Sequence, residues 1–369
     1  MTVVLFDVDG VFLSEERCFD VSALSIHELL FNPRYLNLTQ EKFSIDCTDK
    51  EISEIRRKVF LDDEILASFK KIGLNSNWDM LFITFSVVYI NILKDAGINL
   101  ETIKLEDLYG TGEMLGHVEA DYDRVSEFLS SKAHSKDTIY KELENYAVEV
   151  LNVSNTDPFK LYGPIWQLGQ HVYQEWYLGS DAVRGTDDFQ VEEGKPGYLN
   201  DEVWIESPSD IKKMLDRLLD NGCTIGIATG RSRNETLIPF EAENVLSYFD
   251  DSRISTATEV QKAEKNNESD ATLSKPHPFS YLWSLYAHED TKYQDAVEGR
   301  NVYDESEVYV VGDSIADFYC SDKMNVKFIA TLTGLTGSEI IPDFQSLGVA
   351  AENMADTVLD VPDIILNGK

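Results

Sequence analysis

Val3-Val4-Leu5-Phe6-Asp7-Val8-Asp9-Gly10 decides the fold. Four apolar residues, two of them β-branched, run into a pair of acids and a glycine. That is the pattern of a strand buried on both faces that delivers a polar loop at its C-terminal end. It returns twice: Cys223-Thr224-Ile225-Gly226-Ile227-Ala228 leads into Thr229-Gly230, and Val308-Tyr309-Val310-Val311 leads into Gly312-Asp313, each followed by a helical stretch. The helix before the second strand has a legible start in Ser207, Pro208 and Asp210, an apolar stripe through Ile211, Met214, Leu215, Leu218 and Leu219, and a stop at Asn221-Gly222. A further strand is expected over 326–330 and a last helix over 337–347. The repeated unit of strand, polar loop and helix predicts an α/β class, a doubly wound, mostly parallel Rossmann-like sheet formed by residues 1–14 and 200–369.

The residues between, 15–199, are too many for a connection and form an inserted domain of their own. Apolar residues at three-and-four spacing predict mainly helix, over Glu51–Ile72, Asn77–Ala96, Tyr122–Leu151 and Pro164–Leu178. The aromatics around Trp166 and Trp176 read as helix packing. The run from Met80 to Leu93 is shorter than the roughly 20 residues of a membrane span and is interrupted by Thr84, Ser86 and Asn91, so it predicts a buried helix. Gly179–Gly197 is expected to be a hinge or lid loop, and His288–Glu307 a solvated surface insertion.

Composition narrows the function classes. In 369 residues, 32 Lys and Arg face 66 Asp and Glu, a formal net charge of −34. With 43% hydrophobic residues the chain has ample core material, so the charge is not a mark of disorder. Such acidity repels phosphate backbones and anionic lipid, which excludes general nucleic-acid binding and membrane anchoring. The N-terminal stretch has no basic start and is broken by Asp7 and Asp9, unlike a signal peptide. Cys18, Cys47, Cys223 and Cys320 form no C-x-x-C pair, against a disulfide framework or a zinc site, and a cytoplasmic location is expected. Nothing in the sequence signals an oligomeric state.

Asp7 and Asp9 stand where open α/β sheets bind ligands, although an acidic pair there is by itself an ordinary turn. Gly312-Asp313-Ser314-Ile315-Ala316-Asp317 brings two more acids to the same rim. Four carboxylates together call for a hard cation, and an oxygen-only donor set points to Mg²⁺ rather than zinc. Thr229-Gly230-Arg231 offers a hydroxyl and backbone N–H groups to a phosphate at a helix start, while Thr229 reads equally well as a helix cap. Lys275, in Ser274-Lys275-Pro276-His277-Pro278 before a helix expected to begin near Phe279, would by itself be a surface lysine.

Taken together and in this order, the Asp7-Val8-Asp9-Gly10, Thr229-Gly230, Lys275-Pro276 and Gly312-Asp313-Ser314-x-x-Asp317 motifs resemble the haloacid dehalogenase-like superfamily of phosphotransferases. The resemblance covers roughly half the chain. It implies that Asp7 is a nucleophile forming an aspartyl-phosphate and that Asp9 serves as acid and then base. It further implies that Asp7, Asp313 and the Asp9 carbonyl bind Mg²⁺ with Asp317 as an outer or auxiliary ligand, and that Thr229, Gly230 and Lys275 stabilise the transferred phosphoryl group. Arg231 and His277 adjoin these motifs and would contact substrate, or else pair with acids and sit at a helix start. Residues 15–199 would be the mobile cap. The carboxylate of Asp9 disfavours the halide-displacing branch, and no cap lysine matches a phosphonate-cleaving motif. The resemblance thus implies a Mg²⁺-dependent phosphatase, with a mutase that shares the covalent step left open. A binding protein without turnover is opposed by the intact set of Asp7, Asp9, Thr229, Lys275 and Asp313. A cap of this size fits a small phosphorylated metabolite as substrate.

Overall fold

The computed structural model describes residues 2–186, 189–266, 272–303 and 307–367. It divides into two compact units, residues 1–15 with 199–369 and residues 16–198. The chain opens with β1 (Val3–Phe6) and then leaves for the second unit.

That unit is helical: α1 (Glu16–Phe31), α2 (Asp49–Val59), α3 (Glu64–Lys71), α4 (Asn77–Ala96), α5 (Leu108–Gly112), α6 (Asp123–Ser130), α7 (Lys136–Leu151), α8 (Pro164–Leu178) and the single turn α9 (Ser180–Val183). The apolar run read from the sequence becomes α4, which is buried continuously from Trp78 to Leu93 and packs against α1, α6, α7 and α8. Ser76 caps it, Gly97 ends it in the left-handed region, and Asp79 accepts hydrogen bonds from Tyr140 of α7 (2.7 Å) and Trp166 of α8 (2.8 Å). Among the described residues no helix is long and apolar enough to cross a membrane.

Two expected helices are broken. The stretch 51–72 divides at Leu61, Asp62 and Asp63, all at positive φ, a conformation through which a right-handed helix cannot continue; Arg57 pairs there with Asp62 and Arg56 with Asp63. The stretch 122–151 divides after Ser130, because His134 bonds back to the Phe128 carbonyl (2.8 Å) and Ser135 opens α7 with a capping box. Residues 179–186 and 189–197 pack onto their own unit. Lys195 is buried between Glu28 (2.7 Å) and Glu175, Trp176 Nε1 donates to Glu28 (2.7 Å), and Arg34 holds Glu192 at 2.6 Å. Residues 187 and 188 of that expected loop lie outside the described residues.

In the first unit follow α10 (Pro208–Asp220), β2 (Thr224–Ala228), α11 (Arg233–Ala242), β3 (Ile254–Ser255), α12 (Ala257–Asn266), α13 (Phe279–Leu285), α14 (Tyr293–Val297), β4 (Val308–Gly312), α15 (Ile315–Met324), β5 (Lys327–Thr331), α16 (Ile341–Ser346), β6 (Met354–Ala355) and α17 (Val361–Asn367). The six strands form one parallel sheet in the order β3-β2-β1-β4-β5-β6, so the α/β class holds. Alternation along β1 builds both sides: Val4 and Phe6 join Ile211, Leu215 and Phe240 on one face, Val3 and Leu5 join Phe279, Leu282 and Met324 on the other. The expected last helix starts as a 3₁₀ turn over Gly337–Ile340, with Pro342 then opening α16. The stretch 288–303 is not a solvated loop, since Tyr293 packs edge-on to Trp283 and Phe279 and Ala296 is buried; residues 304–306 lie outside the described residues.

Candidate active site

Register gathers the candidate residues. Phe6 pairs with Ile227 on one side and Val311 on the other, so β1, β2 and β4 end together and the loops after them share one rim. Neighbouring strands stand about 4.8 Å apart, which places Asp7, Thr229 and Asp313 within reach of one small group. This is the crevice where an open parallel sheet takes its ligands.

The centre of the site is Lys275, which is buried rather than on the surface. Its Nζ lies 2.8 Å from Asp7 Oδ2 and 2.8 Å from Asp317 Oδ1. Tyr281, on α13, lies beneath it: the hydroxyl accepts from Lys275 Nζ (3.3 Å) and donates to Asp317 Oδ1 (2.8 Å). Asp317 Oδ2 accepts from the Ser314 hydroxyl (2.6 Å) and amide (3.3 Å), the capping box of α15. Asp317 therefore has protein donors on both oxygens and aims Lys275. Sequence reading missed Tyr281 and Ser314. The one signal for Ser314 was its place three residues before Asp317, a capping-box spacing.

Burial is the largest influence on these groups. It pushes the Asp7 carboxyl up to about 7, against the pull of Lys275 and with added repulsion from Asp317 and Asp9. On Asp317 burial acts in the same sense, but Lys275, Ser314 and Tyr281 outweigh it and hold the carboxyl below its ordinary value. Burial would lower Lys275, and Asp317 and Asp7 more than reverse that.

Asp7, Asp313 and Asp317 are all buried and offer carboxylate oxygens within 4.8 Å of one another. Such an all-oxygen cluster fits a hard divalent cation. Two glycines make room for Asp313: at Gly10 (φ +68°) and at Gly334 an added Cβ would overlap its carboxylate.

Thr229 does not cap a helix. Ser232 caps α11, and the Thr229 hydroxyl, buried at the end of β2, accepts the Arg231 amide (3.2 Å). Gly230 is exposed at that turn. Arg231 is buried and pairs with Asp9 and with Glu202, a residue sequence reading did not single out. His277 sits at a helix start, where its Nδ1 accepts the Phe279 amide (3.2 Å).

A family profile for haloacid dehalogenase-like hydrolases matches residues 198–331. An X-ray structure from the Northeast Structural Genomics Consortium is 37% identical over 100% of this chain and 99% of its own, with a TM-score of 0.76. The chain belongs to the haloacid dehalogenase-like hydrolases. Two other solved structures similar to this hydrolase are a phosphatase from Thermococcus thioreducens (14% identity, 95% of this chain and 100% of that one, TM-score 0.44) and a haloacid dehalogenase-like phosphatase from Thermococcus onnurineus (16%, 99% and 98%, 0.33). Both are too distant to transfer a substrate. No curated protein matches the sequence.

Proposed function

We propose that this haloacid dehalogenase-like hydrolase is a Mg²⁺-dependent phosphatase that cleaves a small phosphate monoester through an aspartyl-phosphate on Asp7. The observation that carries this reading is Lys275 held by Asp317 and Tyr281 against the buried Asp7, beside the carboxylate cluster at the rim. In the first step Asp7 forms a bond to phosphorus, the bond from phosphorus to the leaving oxygen breaks, and Asp9 gives that oxygen its proton. In the second, water attacks the same phosphorus and passes a proton to Asp9. The bond from Asp7 to phosphorus then breaks, freeing inorganic phosphate and restoring both aspartates.

Lys275, the Thr229 hydroxyl and the Gly230 amide would hold the phosphoryl oxygens, since this transfer depends mainly on positioning and charge. Asp7, Asp313 and the Asp9 carbonyl would hold Mg²⁺, with Asp317 behind them. Bound there, the cation supplies charge neutralisation between carboxylate and phosphate. The size of the inserted helical unit supports a small phosphorylated metabolite as substrate. Four free cysteines, three of them buried, support a cytoplasmic location.

The test is phosphate release from a panel of small monoesters, with Mg²⁺ and with chelator, for the parent and Asp7→Asn. Metal-dependent release that Asp7→Asn abolishes is the expected outcome. Release that persists in Asp7→Asn would sink the covalent mechanism, and an isomeric sugar phosphate in place of free phosphate would make the protein a mutase.

A further inference from the structure

Arg231 stands three residues beyond β2 with a side chain only 2% exposed. Its guanidinium spans two carboxylates. Nε and one terminal nitrogen donate to Asp9 Oδ1 at 2.8 and 2.5 Å, while the two terminal nitrogens face Glu202 Oε1 and Oε2 at 3.1 Å each. The Glu202 side chain is equally enclosed, 2% exposed. Backbone bonds bring it there. Ser14 N donates to Val203 O (2.8 Å), Ile205 N donates to Phe12 O (2.9 Å), and Leu13 bridges Trp204 in antiparallel fashion. The segment that carries Glu202 is thus laced to the turn that follows Asp9.

A planar fork engaged along both edges by carboxylates has little left for an incoming phosphate, which would first have to displace one of them. Both Arg231 bonds to Asp9 end on Oδ1. That orients the carboxylate and leaves Oδ2 as the oxygen to exchange a proton. Held this way, Arg231 acts on Asp9, and Glu202 decides where Arg231 stands.

We propose that Glu202 is a positioning residue for the hydrolysis, acting through Arg231 to hold Asp9 where it protonates the leaving oxygen and deprotonates the attacking water. This rests on the reading of Asp7 as nucleophile and Asp9 as its acid and base. The two half-reactions depend on Asp9 differently as the leaving group changes. An alkoxide needs the proton of Asp9 to depart. A p-nitrophenolate departs without one, so the aspartyl-phosphate forms from p-nitrophenyl phosphate even when Asp9 is misplaced, whereas its hydrolysis still needs a base for water.

The experiment compares the parent, Glu202→Gln and Asp9→Asn by stopped flow on p-nitrophenyl phosphate and by steady-state kinetics on an alkyl phosphate monoester, with a thermal melt of each protein. Glu202→Gln is expected to lose about 100-fold in kcat on the alkyl ester with KM within about twofold, the scale of a misplaced catalytic group. On p-nitrophenyl phosphate it should release a burst of about one p-nitrophenol per site and then turn over slowly, the behaviour also expected of Asp9→Asn. A raised KM without a burst would assign Arg231 to substrate and overturn the proposal. So would unchanged kinetics, or an equal loss on both esters without a burst, which marks a purely structural residue. A parent that hydrolyses neither ester overturns the phosphatase reading and this proposal with it, whereas an active parent with an unaffected Glu202→Gln overturns this proposal alone. Should Glu202→Gln not fold, Glu202→Asp keeps the charge but withdraws it by one methylene, and the same burst and the same kcat loss are expected of it, their absence again overturning the proposal.

Discussion

Lys275 shows how much one side chain holds together. It is a cation with a side chain 4% exposed, set between Asp7 at 1% and Asp317 at 0%, so removing its charge leaves two enclosed carboxylates facing one another. Breaking a buried pair in this way costs about 3–5 kcal/mol. Lys275→Met should therefore lower the unfolding free energy by that amount as well as abolish turnover, and a variant that melts with the parent would show that the carboxylates are not paired through this lysine. Asp7→Asn should do the opposite to stability. Its carboxyl titrates near 7 because burial disfavours the charge, so a neutral amide removes a cost and the variant should be at least as stable as the parent at pH 8.

At the scale of elements, α1 carries a pH-dependent weak point. His27 is buried against Phe31 at 4.7 Å between ring centroids. Burial lowers its pKa below the ordinary 6.5, with Lys58 acting in the same sense and Glu41 and the Lys42 backbone opposing. As pH falls from about 6.5 toward that lowered value, the unfolded chain binds a proton that the folded chain refuses, so stability rises with pH in that window. Asp7, with its raised pKa, takes up a proton in the folded chain in part of the same window and works the opposite way, so the His27 contribution is read as a difference. Between pH 7.5 and 5.5, urea melts should show the parent losing more stability, or gaining less, than His27→Gln, and an equal change in the two would clear His27.

The same scale separates what could be read in advance from what could not. β1, β2 and β4 were legible because each is an apolar run that ends abruptly in polar loop residues, the direct trace of burial on both faces. β3 and β6 are two residues each and leave no pattern. The breaks at 61–63 and 131–135 depend on side chains reaching back over five to eight residues, which periodicity does not register. Tyr281 and Glu202 escaped for a related reason. Their partners Asp317 and Arg231 lie 36 and 29 residues away in sequence, and only the sheet brings them together.

For the whole molecule, a formal charge of −34 makes the folded state self-repelling. Raising NaCl from 20 to 300 mM should raise the melting temperature by shortening the Debye length from roughly 20 Å to under 10 Å. Mg²⁺ should do more at equal ionic strength, because binding at the aspartate cluster adds RT ln(1 + [L]/Kd), about 2.7 kcal/mol at a hundred times Kd. Asp313→Asn should keep the NaCl effect and lose the excess due to Mg²⁺. Equal shifts from both salts in the parent would argue against a cation at that rim.

The central place of β1 also bears on how the chain is made. Residues 3–6 emerge well before either of their neighbours, 224–227 and 308–311. At about 5–20 residues per second of synthesis the strand waits on the order of 15–60 s for its second partner. A bare Val-Val-Leu-Phe segment is an aggregation hazard for all of that time. Asp7 and Asp9 follow it directly, in the position where charged residues act as gatekeepers of an apolar strand. The carboxylates assigned to the chemistry thus guard the nascent polypeptide long before there is a site for them to serve.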